Sequence, residues 1–223
     1  MVCTGEQLRV VNDRIAAQNR ARFTERGPVV LHMLGSAGAG KTALLEAIAR
    51  RTRGLLRMGI VHDQRATRRD QARTRAAGAV VHRLVGAAGH VDALHVHHAL
   101  GQLPLEDIDL LAIENSGDTP GAAVFDLGEH RCVLVTSVLD GTDYPRRHAA
   151  LFASADLVVL NKIDVLPRAQ FDLAAWRQAV REVNPRARVV VTSTLSGAGV
   201  DEWTRALIRL GPPLRHPAPA DPA

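Results

Sequence analysis

The sequence predicts an α/β fold, a mostly parallel sheet flanked by helices, and three observations carry that expectation. Short apolar runs recur along the chain, helical patterns separate them, and 223 residues suffice to bury one full core. Apolar strands alternating with helices imply parallel pairing with both sheet faces covered.

Residues 5–26 set Leu8, Val11, Ile15 and Phe23 on an arginine-rich background, which predicts an amphipathic helix stopped by Gly27-Pro28 and packed outside the sheet. A strand over 29–34 then runs into a glycine cluster, and a helix follows over 42–53. Further strands are expected at 58–61, 79–82, 108–113, 132–138, 157–160 and 189–191, with helices at 67–77, 90–100, 145–153, 172–183 and 201–210. The expected organisation is a helix over 1–27, one nucleotide-binding unit over 28–210 and a disordered proline-rich tail over 211–223, which holds five of the eleven prolines.

With 46% hydrophobic and 23% charged residues, disorder is excluded as the general state. Uninterrupted apolar runs reach about five residues, against roughly 18 for a membrane span. The first twenty residues are too polar for a signal peptide, and two cysteines, Cys3 and Cys132, cannot build a disulfide framework. A cytoplasmic location is the expectation. The net charge of +5 comes from arginines spread along the chain, and 3% aromatic content leaves few stacking platforms, so no nucleic-acid partner is expected. Of 28 basic residues only Lys41 and Lys162 are lysine, which marks positions where a guanidinium cannot replace a compact ammonium.

Both lysines sit in nucleotide-binding signatures. Gly35-Ser36-Ala37-Gly38-Ala39-Gly40-Lys41-Thr42 has the phosphate-loop pattern. Small residues let successive N–H groups curl around a β-phosphate, Lys41 reaches the β/γ oxygens, and the Thr42 hydroxyl goes to Mg²⁺. Asn161-Lys162-Ile163-Asp164 follows an apolar strand, where open α/β sheets bind ligands. A carboxylate at Asp164 can accept both N1–H and the exocyclic amine of guanine, a pair adenine does not offer; a helix cap is the other reading of this residue. Ser193 and Thr194, after the strand at 189–191, are weaker candidates for closing on the base. Between these motifs, Glu114-Asn115-Ser116-Gly117 leaves a strand end, where Glu114 would hold a metal-bound water and the Gly117 N–H would sense a γ-phosphate; a plain strand exit is the alternative.

These motifs, in this order, resemble the SIMIBI class of P-loop GTPases. Asn12-Asp13-Arg14, Asn19-Arg20, Gly89-His90-Val91-Asp92-Ala93, Leu103-Pro104-Leu105-Glu106-Asp107 and Phe125-Asp126-Leu127-Gly128-Glu129 narrow the resemblance to the HypB hydrogenase nickel-incorporation proteins, from about Asn12 to Leu210. The resemblance implies the SIMIBI fold, slow hydrolysis of GTP to GDP, Mg²⁺, and a nucleotide-dependent homodimer. It also implies delivery of nickel to the large subunit of a [NiFe] hydrogenase with a HypA-type partner.

Departures from the family matter too. Its interfacial nickel/zinc site uses a Cys-His pair where this chain has Gly89-His90, and a second cysteine where it has Gly121, so His90 is the one surviving candidate ligand. Such sites usually take three or four N/S ligands, and a degraded metal site is expected. His97 would share a helical face with His90 and offers the best histidine pair; Cys132 reads as core. The family's N-terminal cysteine cluster and histidine-rich segment are also expected to be absent. In the early switch the family's aspartate touches Mg²⁺ and orients the attacking water. Here Asp63 or Gln64 fills that place, depending on a one-residue shift, with Asp70 available downstream. Two other readings stand beside this one: a non-catalytic, nucleotide-dependent regulatory scaffold, and a maturation GTPase for a urease- or cobalamin-type enzyme, which the Phe125–Glu129 segment argues against.

Overall fold

The strands β1 (Val29–Gly35), β2 (Met58–His62), β3 (Val80–Arg83), β4 (Leu110–Glu114), β5 (Arg131–Ser137), β6 (Leu157–Asn161) and β7 (Arg188–Val191) form one sheet in the order β3-β2-β4-β1-β5-β6-β7. Every pairing is parallel. The computed structural model describes residues 5–85, 91–115 and 125–210. The expected tail at 211–223, together with Cys3, His90, Gly117 and Gly121, lies outside the described residues.

Along β1 the side chains alternate between two cores, as the two-residue repeat of a strand requires. Val29, Leu31 and Met33 face a core built with α2 (Lys41–Arg51) and α8 (Val200–Leu210), where Leu45, Ile48 and Trp203 are buried. On the opposite face Val30 joins Phe23 of α1 (Gly5–Arg26) and Val96 and Leu100 of α4 (Ala93–Leu100). Beyond β1, that face is covered by Phe152 of α6 (Ala149–Ala153) and Trp176 of α7 (Leu173–Val183). The chain crosses to opposite sides of β1 on the way to β4 and β5, so β1 ends at the point where strand order reverses, the place where open α/β sheets bind ligands. No described helix is long and apolar enough to cross a membrane.

Strand positions agree with the expected ones to within two residues, and three helical expectations are corrected. The first helix buries only the later part of the apolar stripe: Phe23 is buried and Ile15 half-buried, but Leu8 and Val11 are 53% and 58% exposed, and Asn12, Ala16 and Asn19 complete the inner face. Its inner face is anchored by hydrogen bonds. The Asn12 amide donates to Asp126 O and accepts from the Ala93 N–H, and Asn19 donates to Ala93 O and Leu127 O. Gly128 closes this contact, since a Cβ there would lie 2.5 Å from Ala16 O. The second correction is the start of α4. Asp92, in an extended conformation, caps the helix by accepting from the His95 N–H, so the helix starts at Ala93, not His90. The pairing of His90 with His97 falls outside the described residues; the His97 ring itself meets Asn19 Oδ1 at 2.9 Å. Third, the helix expected over 145–153 breaks at His148 into α5 (Tyr144–Arg147) and α6.

Candidate functional site

β1 delivers the chain to its carboxyl end at Gly35, where a side chain cannot fit: a Cβ would lie 2.1 Å from Val135 O on the neighbouring strand. The loop then turns through Gly38 and Gly40, both at positive φ, and α2 begins at Lys41. Lys41 is buried, and its ammonium donates to Gly35 O and Ser36 O at 2.9 and 3.0 Å, folding back across the loop it would share with a phosphate. The Ser36 hydroxyl is held from β5's end by Asp140, at 3.0 and 3.1 Å, while Asp140 also accepts from the Ser137 N–H. Asp140 was not singled out from the sequence; the Ser-x-x-Asp cap spacing from Ser137 was the available signal.

The Asn161–Asp164 segment meets this loop directly. Asn161 is fully buried; its amide donates to Ala39 O at 2.9 Å and accepts from the Thr192 hydroxyl and the Thr194 N–H. It braces the loop against the segment after β7, so its part is positional. A Cβ on Gly40 would lie 2.3 Å from the Asn161 amide nitrogen, so the fit requires glycine. Lys162, at φ 62°, is the one non-glycine residue at positive φ among the described residues. Such strain concentrates at binding sites. Asp164 is exposed and accepts a hydrogen bond from the Ser193 hydroxyl, so Ser193 orients the carboxylate that the sequence reading gives to guanine.

A cleft of about 310 Å³ opens beside the loop, lined by Lys41, Thr42, Asp63, Arg65, Asp70 and Glu114 among others. Thr42 Oγ1 donates to Glu114 Oε1 at 2.6 Å. Asp63 is among the lining residues and Gln64 is not. The donor set of one hydroxyl and two carboxylates suits a hard cation such as Mg²⁺, which prefers oxygen ligands. Asp70 has a structural task as well: with Thr67 it forms the reciprocal cap of α3 (Arg68–Ala76), accepting from the Thr67 N–H and hydroxyl at 3.0 and 2.6 Å. Burial works to raise its carboxyl, but the Thr67 hydrogen bonds and the Arg73 charge prevail and hold it low. Asp70 thus both caps α3 and lines the cleft. Arg65 in the cleft wall and His62, buried behind Glu114, carried no sequence signal of their own.

On the other face of β1, His32 is fully buried between Glu129 (3.3 Å) and the Asn115 amide (3.1 Å). Burial acts to raise the Glu129 carboxyl, yet the hydrogen bond and charge of His32 and the Leu127 N–H together bring it down to about 2. A depressed carboxyl stabilises the fold fully above its ordinary value of 4.5 and loses that contribution as pH falls toward 2. Denaturation midpoints measured across this range should fall more steeply for the native chain than for Glu129→Gln, and the variant should be the less stable at neutral pH. Equal slopes would remove the His32–Glu129 pair from the acid response.

Cys132 lies in the core as expected; burial, with Glu129 and Asp156 adding to it, pushes its thiol up to about 12, which disfavours a metal-binding thiolate. Among the described residues no group of three or more His, Cys, Asp and Glu side chains could hold a metal ion.

A loop of this kind after the central strand, closed by a lysine and braced by the segment that would read a base, defines a P-loop nucleotide-binding protein. Comparison with known proteins narrows the class. Residues 29–191 match the CobW/HypB/UreG nucleotide-binding domain. The hydrogenase maturation factor HypB of Escherichia coli (strain K12) is 39% identical over 193 residues, 86% of this chain and 67% of that protein. The crystal structure of hydrogenase maturation factor HypB from Archaeoglobus fulgidus superposes with a TM-score of 0.84 at 31% identity, covering 90% of this chain and 98% of that one. HypB from Helicobacter pylori in complex with nickel gives 0.81 at 27% identity, covering 89% and 94%. The chain belongs to the CobW/HypB/UreG family and, within it, to the HypB type. It spans about two thirds of the length of the Escherichia coli relative.

Proposed function

We propose that the protein is a GTP-binding and slowly GTP-hydrolysing factor for nickel incorporation into a [NiFe] hydrogenase. It would work in the cytoplasm as a nucleotide-dependent homodimer with a HypA-type partner and the hydrogenase large subunit. The observation that carries this reading is the closure of the phosphate loop on two partners at once, Asn161 behind it and the Thr42–Glu114 pair beside it. The Helicobacter pylori relative, crystallised with nickel, supports nickel as the cargo of this type of protein.

Loop N–H groups and the Lys41 ammonium bind the β- and γ-phosphates, and Asp164 selects guanine. Thr42, Asp63 and Glu114 would hold Mg²⁺, which when bound spreads the charge developing on the phosphates. Asp63 aligns the attacking water, and the Gly117 N–H senses the γ-phosphate. Catalysis is by position and charge, which fits a slow enzyme completed by its dimer or its partner. The binding unit spans 28–210, with α1 laid on its outside. The interfacial metal site is degraded, because Gly89 and Gly121 stand where thiolates are expected.

Single-turnover hydrolysis of GTP tests the enzymatic reading. Nucleotide-dependent phosphate release above background supports it, whereas tight GTP binding without release identifies a regulatory scaffold. Calorimetric titration of the GTP-analogue-loaded protein with Ni²⁺ and Zn²⁺, repeated on His90→Ala, tests the degraded site. Tight binding lost in the variant would reveal a site rebuilt on histidine.

A further inference from the structure

The residue that ends β2 takes no part in the chemistry just described, yet it stands directly behind Glu114, which lines the cleft. His62 is fully buried, and strand register sets it beside Glu114, because Val61 pairs with Ile113. Its Nδ1 lies 2.6 Å from Glu114 Oε2, and its Nε2 lies 3.0 Å from the hydroxyl of Thr74, itself fully buried on α3. Glu114 is thus gripped at both oxygens, by Thr42 from the loop and by His62 from behind.

The grip has a geometric consequence. The last torsion of a glutamate is broad and roughly two-fold, so a carboxylate bonded at one oxygen can swing. The His62 ring is fixed in turn by Thr74 and has no solvent around it, so Oε2 stays turned inward and Oε1 stays toward Thr42 and the cleft. Mg²⁺ demands near-ideal octahedral geometry, and partners behind a metal-binding carboxylate commonly set its orientation. We infer that His62 is a positioning residue: it holds Glu114 in the one orientation that serves Thr42 and the cation side of the cleft. The inference rests on the Mg²⁺-GTP reading above.

The test is the Mg²⁺ dependence of nucleotide affinity, read with a fluorescent GDP analogue on the full chain, in EDTA and across a Mg²⁺ series. In the native chain Mg²⁺ tightens binding. In His62→Ala the Mg²⁺ concentration for half-maximal tightening should rise on the order of 10- to 100-fold, the usual effect of removing such a partner. Affinity in EDTA should stay close to native, a split that general loss of structure would not produce. His62→Asn, whose amide N–H₂ takes the place of Nδ1–H, should restore most of the Mg²⁺ response. In a Glu114→Gln background, His62→Ala should add no further shift, since it acts through that carboxylate.

An unshifted midpoint in His62→Ala, or equal impairment of His62→Ala and His62→Asn, overturns the inference. Should His62→Ala lose cooperative unfolding, His62→Leu fills the space without a donor and is read by the same midpoint. Failure of the native chain to respond to Mg²⁺ overturns the GTP reading itself, and so is told apart from an unshifted variant.

Discussion

Lys41→Ala is expected to lower single-turnover phosphate release by on the order of 10² to 10³, the range seen when one preorganised charge-stabilising donor is removed. Its ammonium already bridges Gly35 O and Ser36 O, so it is aimed across the loop before any nucleotide arrives. Alanine also leaves those two carbonyls without that donor, so the empty loop should open more readily. Lys41→Arg should be nearly as damaging. Lys41 is 4% exposed and its ammonium is held by backbone carbonyls, and a planar guanidinium with five donors does not fit a point-charge site. Wild-type rates for Lys41→Arg would refute the idea that the two lysines of an otherwise arginine-only chain are held by shape.

Asp164→Asn should change which base is bound. In the proposed site the carboxylate would accept the guanine N1–H and exocyclic N–H₂; an asparagine in its place would accept only one and turn a donor toward the other. Each charge-assisted hydrogen bond is worth about 1.5–3 kcal/mol, so GTP affinity should fall about 100-fold or more. Xanthosine triphosphate, which presents an oxygen where guanine has the amine, matches the asparagine and should bind better to the variant than to the native chain. Ser193 bears on the same atom, because its hydroxyl donates to Asp164. Competition binding with the two triphosphates checks both statements, and an unchanged preference for GTP would take base recognition away from Asp164.

Local pattern made much of this molecule legible in the sequence. The strands could be placed because each is a short apolar run bounded by glycine or polar residues, and all seven are found where expected. The phosphate loop and Asn161–Asp164 were legible for a different reason. Each is a contiguous segment with a recognisable spacing of its own, whatever the rest of the chain does. The first helix shows where such reading stops. Of its apolar positions Phe23 does face inward, but Leu8 and Val11 do not, and the face that docks also carries Asn12 and Asn19, which hydrogen-bond backbone groups at 93 and 126–127. The start of α4 was misplaced for a similar reason: one side chain, Asp92, caps the helix and sets its first residue at Ala93.

By itself, then, the sequence determined the α/β layout and the position of the two motifs, the phosphate-loop pattern at 35–42 and Asn161–Asp164. Only the tertiary structure decided which residues stand behind them. His62 lies 52 residues from Glu114, Ser36 lies 104 from Asp140, and Asn161 lies 122 from Ala39. Parallel strands place their carboxyl ends side by side while the chain between them runs through a crossover, so partners across the site are separated by whole strand–helix units. No local spacing encodes such a contact; it exists once register has set one strand end against the next.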